Sequence, residues 1–239
     1  MQIGDLKKLS LTDYPGKLSC VVFLLGCNYR CPWCYAKDFV SSEDTKEDPR
    51  NQKIKENIFF NFLKEKRGLL EGVVLTGGEP TVHNDLPDFA KKIKDIGYSI
   101  KLDTNGSNPN LLKFLIKERL IDYVSMDVKA PKEKYMQTIG FSGCSSYYLL
   151  DKIEQSMNTL KQERIEYEFQ TTVVPGVLKK EDILKITRWI APAESYFLRE
   201  FKPDNTLDEK FQESKPYPKE YLLKIQKAVS PFFGTCQLR

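Results

Sequence analysis

The sequence has a single histidine, no long apolar run and little net charge. Each of these features argues against a particular class of function. The lone histidine, His83, is more typical of a surface or packing residue than of a catalytic one. The longest apolar run, CVVFLLGC at 20–27, is far too short to cross a bilayer. The formal net charge of +4 is small for 239 residues and does not favour binding to nucleic acid or an anionic membrane. We therefore expect no nucleic-acid partner and no membrane partner.

The sequence also lacks a secretory signal and any internal repeat. Residues 1–17 carry charges but no following apolar segment of the secretory type, so we predict a cytoplasmic protein. With 41% hydrophobic residues the chain can bury one substantial core, which predicts a single α/β domain over residues 1–239. Two polar stretches, 41–51 and 202–218, are predicted to be surface loops, and neither marks a second domain.

Strand-like and helix-like segments alternate along the chain. Apolar residues recur at helical spacing within 54–63, 111–116 and 153–160. This alternation predicts a parallel sheet wrapped by helices, either an open doubly wound sheet or a barrel shorter than the eight-unit form. The β-rich runs that we predict as strands are 18–25, 72–76, 98–103, 123–129, 167–174 and 195–201.

The unusual loops of the sequence follow the predicted strands. In parallel α/β folds the ligand site lies at the carboxyl ends of the strands, so we expect these loops to converge on one mouth. In chain order they are the cysteine loop GCNYRCPWCYA (26–36), TGGEPT (76–81), DTNG (103–106), MDVK (126–129) and VVPG (173–176).

The cysteine loop places Cys27, Cys31 and Cys34 within eight positions. In a reducing cytoplasm such a cluster indicates metal ligands or redox groups more than disulfides. A structural zinc ion requires four ligands, whereas three thiolates on a 4Fe-4S cluster leave one iron open to a substrate or cofactor. Trp33 would pack in the core or exclude water from such a cluster. Zinc stays an alternative, with a fourth ligand drawn from Cys20, Cys144, Cys236 or His83.

The spacing of these cysteines, with an aromatic residue before the third, resembles the signature of radical S-adenosylmethionine (SAM) enzymes. The segment GGEP at 77–80 resembles the second hallmark of that family. Nearly the whole chain is similar to the activating proteins associated with anaerobic ribonucleoside-triphosphate reductase, through stretches such as LSLTDYPGKLSC (9–20) and IDYVSMDVKAP (121–131). The fold that this resemblance implies is a partial (β/α)6 radical SAM barrel.

The resemblance also implies an activity and partners. A 4Fe-4S cluster would cleave SAM reductively to methionine and a 5'-deoxyadenosyl radical, which would take hydrogen from a glycine Cα of a partner protein. The implied partners are a glycyl radical enzyme, in particular anaerobic ribonucleotide reductase, and a reductant such as flavodoxin or ferredoxin.

Residue roles follow from the same resemblance. The three clustered cysteines would bind three irons and leave the fourth to the amino and carboxylate groups of SAM. Gly77 and Gly78 would let the backbone approach closely, or form an ordinary tight turn, and Glu79 would accept hydrogen bonds from the SAM ammonium. Val174 would lie under the adenine or ribose, or simply end a strand. The residues expected around the SAM carboxylate are Asp103, Thr104, Asn105, Asp127 and Lys129.

Several points stay open in the sequence. The two aspartates could hold a monovalent cation, and Lys129 could instead be a solvated lysine. Tyr35 and Gln170 stand where relatives commonly carry histidine and arginine, and the three remaining cysteines are interpreted as isolated thiols. Two other classes of function remain: a radical SAM enzyme acting on a small molecule or peptide, and a non-enzymatic iron–sulfur or zinc protein.

Overall fold

The computed structural model describes residues 1–40, 53–141 and 146–239. The predicted loop at 41–51 and the thiol of Cys144 lie outside these ranges. The described residues form one sheet of eight strands in sequential order. The strands are β1 (Ile3–Ser10), β2 (Ser19–Leu24), β3 (Gly72–Gly77), β4 (Ser99–Thr104), β5 (Tyr123–Asp127), β6 (Glu166–Val173), β7 (Ala193–Glu200) and β8 (Phe233–Leu238).

Strands β2 to β8 run parallel, and only β1 is antiparallel to its neighbour β2. A helix crosses over between each pair of parallel neighbours, as a parallel ladder requires. Strands β2 to β7, each followed by a helical segment, form the predicted partial (β/α)6 barrel, which is confirmed. The helices are α1 (Glu56–Glu65), α2 (Leu86–Ile96), α3 (Pro109–Lys117), α4 (Tyr135–Thr138), α5 (Ser146–Gln162), α6 (Lys180–Ile190) and α7 (Lys219–Val229).

The two faces of the sheet have different neighbours. The main apolar core contains strand residues such as Val73 and Leu75 and helix residues such as Phe89 and Ile93. The opposite face, which carries no helices and is here called the concave face, has a small apolar cluster among the described residues. This cluster consists of Tyr14 with residues of β2, β3 and β5. Because successive side chains of a strand point to opposite faces, a strand packed by helices on one side can present polar side chains on the other.

Polar side chains occupy much of this concave face. Strand β4 places Lys101 and Asp103 there, and β6 places Glu168, Gln170 and Thr172. These residues alternate with buried apolar or small residues along their strands. The concave face therefore has the composition of a binding site more than of a packed barrel core.

Two edge strands were not predicted from the sequence. Strand β1 (IGDLKKLS) carries several charges and exposes half of its residues, and β8 (FGTCQL) is short and largely half-buried. Because each lies at a sheet edge, neither needs the continuous apolar pattern of a central parallel strand. No helix in the described ranges has the length and apolar character needed to cross a membrane.

Candidate functional site

One pocket, here called the mouth pocket, lies at the carboxyl ends of strands β2 to β7. Its lining comes from the loops after β2, β3, β4 and β5 and from the last residues of β6 and β7. The predicted site residues all line it except Val174, which is fully buried elsewhere. The predicted convergence of loops therefore occurs, without the contribution expected from residues 173–176.

The cysteine loop is held at both ends by backbone hydrogen bonds. Near its start, the Cys27 amide donates to the carbonyl of Val40 at 3.0 Å. Near its end, the Leu207 amide donates to the carbonyl of Cys34 at 3.0 Å, and the Asp208 amide to that of Pro32 at 2.8 Å. The loop at 202–218 lies at the surface as predicted, but it also fixes the position of the cysteines.

The three thiols of this loop line the same pocket. Burial raises the pKa of the Cys27 thiol to about 11 and that of Cys31 to about 12, and it also raises the pKa of Cys34. Thiols bind metal as thiolates, so loading this site releases protons. Within the described ranges, no three His, Cys, Asp or Glu side chains converge on a single ion. This does not argue against a cluster, in which each cysteine holds a different iron.

Two glycines bring the β3 loop against the cysteine loop. Gly77 has φ of +111°, and a Cβ there would lie 2.4 Å from the amide nitrogen of Leu24. At Gly78 a Cβ would lie 2.1 Å from the carbonyl oxygen of Gly26. The Glu79 amide donates to that same Gly26 carbonyl at 2.8 Å. The glycines are therefore required for contact between two loops, which an ordinary turn does not need.

Glu79 joins the loops after β3 and β4. Its carboxylate is 1% exposed and accepts from the hydroxyls of Thr81 and Thr104 at 2.5 and 2.6 Å. It also accepts from the amides of Thr81 at 3.1 Å and Asn105 at 2.7 Å. Burial raises the pKa of Glu79, and these hydrogen bonds oppose that rise. Three of these bonds go to Oε1 and only the bond from the Asn105 amide goes to Oε2, so most of the capacity of the carboxylate is used in joining the two loops. We therefore propose a positioning role for Glu79.

We expect Glu79→Gln to lower the free energy of unfolding of the metal-free protein by about 1–3 kcal/mol. The glutamine side chain has one acceptor oxygen and one NH2 donor in place of two acceptor oxygens. At least one of the buried donors that now bond to Glu79 would therefore lose its acceptor. Urea unfolding would measure the change, with the exposed Glu118→Gln as the matched control. Equal urea midpoints for the two variants would contradict the positioning role.

The predicted charged residues of the pocket are paired with each other. The Lys129 ammonium lies 3.0 Å from Asp127 and 5.3 Å from the ring centre of Trp33. The Lys101 ammonium donates to Asp103 at 2.5 Å. Burial disfavours the charge on Lys129, but Asp127 and the nearby sulfurs raise its pKa overall. Both aspartates already have a lysine partner, so a monovalent cation would have to compete with lysine and stays a prediction.

Three asparagine and serine side chains link the cysteine loop to the β4 loop. The Asn105 amide donates to the Asn28 side-chain oxygen at 2.9 Å, and the Asn28 amide donates to the Ser107 hydroxyl at 2.8 Å. Asn105 is 5% exposed. Its side chain therefore holds the two loops together, in addition to lining the pocket.

Sequence reasoning missed the polar residues that the last two strands of the barrel contribute to the mouth pocket. Thr172 of β6 and Arg199 of β7 line it and lie opposite each other in the parallel ladder. The signal for Thr172 is the polar alternation Glu168, Gln170, Thr172 in a strand that is otherwise buried. The Arg199 guanidinium donates to Gln170 and to Tyr35, so both residues that depart from the resembled pattern meet at this arginine.

The lone histidine and two of the isolated thiols, Cys20 and Cys236, lie apart from the pocket lining. The His83 ring nitrogen Nε2 lies 2.8 Å from the carbonyl of Leu25, and His83 therefore ties the β3 loop to the end of β2. Cys20 is fully buried in β2. Cys236 is half-buried in β8. The predicted packing role of His83 fits this contact.

The fold and the cysteine loop together define the class of protein. A partial (β/α)6 barrel whose first parallel strand leads into three clustered cysteines is the arrangement that the resemblance implied. The sequence profile of the Radical SAM superfamily matches residues 21–190. The chain belongs to the Radical SAM superfamily and is a radical SAM enzyme, and membership implies a 4Fe-4S cluster and SAM as cofactors.

Individual relatives support this membership. A protein of Methanocaldococcus jannaschii, provisionally named a glycyl-radical enzyme activating enzyme, is 34% identical over 93% of this chain and 88% of its own length. The 7-carboxy-7-deazaguanine synthase of Aquifex aeolicus is 29% identical over 72% of this chain and 66% of its own. Among solved structures, a radical SAM methyltransferase of Sphaerobacter thermophilus has a TM-score of 0.71 at 13% identity, covering 97% of this chain and 68% of that one. This last likeness concerns the fold alone.

The pocket residues fit the implied cofactors. Three thiols line it, and the close glycine contacts leave the β3 backbone beside the cysteine loop. Trp33 and Tyr29 also line the pocket, and among the described residues the Trp33 indole nitrogen and the Tyr29 hydroxyl are buried without a hydrogen-bond partner. Unpaired buried donors are uncommon in folded proteins and are consistent with a group that binds there.

Proposed function

We propose that this radical SAM enzyme is an activase that generates a glycyl radical on a partner enzyme. The observation that carries the proposal is the similarity to the provisionally named activating enzyme of Methanocaldococcus jannaschii, which extends over nearly the whole of both chains. The absence of a ladder between β1 and β8 in the described residues supports it, because a sheet open at both edges leaves its concave face accessible to a macromolecule.

In this proposal the chain binds and shields the cofactors. Cys27, Cys31 and Cys34 would each hold one iron and would leave the remaining iron for SAM. The cofactors supply reductive cleavage of SAM to methionine and a 5'-deoxyadenosyl radical, which removes a hydrogen atom from a glycine Cα. Trp33, 4% exposed, keeps water away from the thiols. Lys129 adds a fixed positive charge beside the sulfurs and near the expected position of the SAM carboxylate.

The partner we propose is an anaerobic ribonucleotide reductase. Its glycine loop would have to leave a buried site and enter this barrel, so activation depends on a local opening of the partner. The proposal includes a reductant such as flavodoxin or ferredoxin, a cytoplasmic location and a single domain over residues 1–239.

The proposed function predicts a radical on the partner. Reduced, reconstituted protein mixed with SAM and the anaerobic ribonucleotide reductase of the same organism is expected to give the doublet of a glycyl radical in electron paramagnetic resonance. Deuteration of the glycine Cα should collapse that doublet, because the splitting comes from the remaining α-hydrogen. Heat-denatured reductase serves as the control.

A second candidate is a radical SAM enzyme that acts on a small molecule. The similarity to a 7-carboxy-7-deazaguanine synthase and the polar concave face favour it. SAM cleavage without a glycyl signal on any glycyl radical enzyme of the organism would contradict the activase and support this second candidate.

A further inference from the structure

A second cavity, the inner chamber, lies on the concave face beneath the mouth pocket. It is lined by β1, β2, β3, β4, β6 and β7 and by the side chain of Arg239. The two cavities adjoin each other, because they share six lining residues. The shared residues are Tyr35, Thr76, Asp103, Gln170, Thr172 and Arg199. A molecule in the inner chamber would therefore lie next to the mouth pocket.

Most of the charged residues that line the inner chamber form ion pairs, and among the described residues the exposed Glu200 and Lys202 do not. Glu168 is fully buried and accepts from Arg239 at 2.8 Å and also from the hydroxyls of Tyr123 and Ser125. Two further pairs are formed by Lys7 with Asp13 at 2.9 Å and by Lys101 with Asp103 at 2.5 Å. These pairs leave their members little capacity to bind a charged substrate group.

Arg199 differs from the paired cations of the inner chamber, Lys7, Lys101 and Arg239, and unlike Lys202 it is partly buried. In the described ranges no carboxylate lies within 4 Å of its guanidinium, and the nearby Asp103 and Asp127 are each paired with a lysine. Its partners are neutral, the Gln170 oxygen at 3.4 Å and the Tyr35 hydroxyl at 3.3 Å. Both distances are longer than a good hydrogen bond. A guanidinium has five N–H donors, so several remain for a ligand.

We infer that Arg199 binds an acyl oxygen of the substrate at the junction of the two cavities. An acyl oxygen is a planar acceptor that a guanidinium recognises well, whether it belongs to a peptide carbonyl or to a carboxylate. The inference rests on the proposed function, and on a glycyl radical enzyme the acceptor is the backbone carbonyl beside the reacting glycine. Arg199 thereby fixes the distance between the glycine Cα and the mouth pocket, and such positioning contributes to rate.

The test uses the reconstituted protein with cluster and SAM but without reductant, so that SAM stays intact. Two probes are titrated by calorimetry: N-acetyl-triglycine amide, which offers only peptide carbonyls, and N-acetyl-triglycine, which adds a carboxylate. Arg199→Gln is expected to weaken binding of the amide probe about tenfold or more, as expected for loss of a charge-assisted hydrogen bond. Because Arg199 also lines the mouth pocket, the affinity for SAM is expected to fall, but by much less than the affinity for the amide probe. The matched control is the exposed Arg188→Gln on α6, for which neither affinity should change.

The outcomes separate this inference from the proposed function. Weakening of only the acid probe would support the acyl-oxygen site and assign it to a carboxylate substrate. Equal loss of SAM affinity, no effect on either probe, or no binding of either probe by the unmodified protein would overturn the inference. A glycyl radical formed by Arg199→Gln with an unchanged KM for the partner would also overturn it, while the proposed function would stand. If Arg199→Gln fails to fold, Arg199→Lys keeps the charge but loses the planar fork, and it should show a smaller loss in the same titration.

Discussion

A Cys31→Ala variant is expected to retain almost no iron after anaerobic reconstitution, whereas the unmodified chain should bind about four iron and four sulfide. Cys31 is the most deeply buried thiol of the cysteine loop, at 7% exposed. No other cysteine in the described ranges lines the mouth pocket apart from Cys27 and Cys34, so no thiolate there can replace it. Iron and sulfide analysis measures the loss, and cleavage of SAM to 5'-deoxyadenosine and methionine should disappear with it.

The control for this variant is Cys236→Ala. Cys236 lies on the edge strand β8, outside the mouth pocket, and burial raises its thiol pKa to about 11. Its loss should leave the iron content and the spectral change on adding SAM intact. One zinc per unmodified chain without iron uptake would favour the non-enzymatic zinc alternative. Full iron content in Cys31→Ala would show that this cysteine is not a ligand.

The order of the loops could be predicted from sequence because the chemistry of this fold is concentrated where strands end. The cysteine loop, residues 76–81 and residues 103–106 each follow a strand, and parallel strands direct all these loops to one side. Their convergence therefore needs only the correct assignment of strands. Val174 shows the limit of this reasoning, since a residue that follows a strand can still point into the core.

Other parts of the site depend on contacts that no local pattern contains. Thr206 is fully buried within a polar stretch, and the adjoining Leu207 and Asp208 amides bond to the cysteine loop far away in sequence. The lack of a carboxylate partner for Arg199 in the described ranges likewise cannot be predicted from sequence. It depends on Asp103 and Asp127 each pairing with a lysine. The edge strands β1 and β8 were not predicted because edge strands carry charged and polar residues that discourage pairing with other chains. These residues interrupt the apolar pattern by which a strand is recognised.

The hydrogen bonds of Glu79 indicate a structural role for the GGEP segment. Sequence and resemblance assign its carboxylate to a cofactor, but in this chain it also accepts hydrogen bonds from Thr81, Thr104 and Asn105. The glycines beside it are explained by contact with the backbone of Gly26 and Leu24. The segment therefore builds the wall of the mouth pocket, and its effect on SAM depends on that wall staying in place.

A Gly78→Ala variant is expected to lose cluster binding together with stability. The added methyl group would lie 2.1 Å from the Gly26 carbonyl oxygen and 2.7 Å from that of Phe39, and neither is a side chain that can rotate away. Forcing these backbones apart costs about 1–3 kcal/mol. Each hydrogen bond broken between the loops, such as that from the Gly78 amide to the Leu24 carbonyl at 2.8 Å, adds about 0.5–1.5 kcal/mol. Urea unfolding of the metal-free protein and iron content after reconstitution measure the two effects.

Gly97→Ala separates this steric effect from the general cost of replacing a glycine. Gly97 follows α2 with φ of +107°, and a Cβ there would meet no atom within 4 Å. Its replacement should cost about 1–2 kcal/mol through backbone strain alone. Because Gly97 lies away from the mouth pocket, that variant should still bind its full complement of iron. Gly78→Ala with normal iron content and no greater loss of stability than Gly97→Ala would show that the cluster does not depend on close contact between the β3 loop and the cysteine loop.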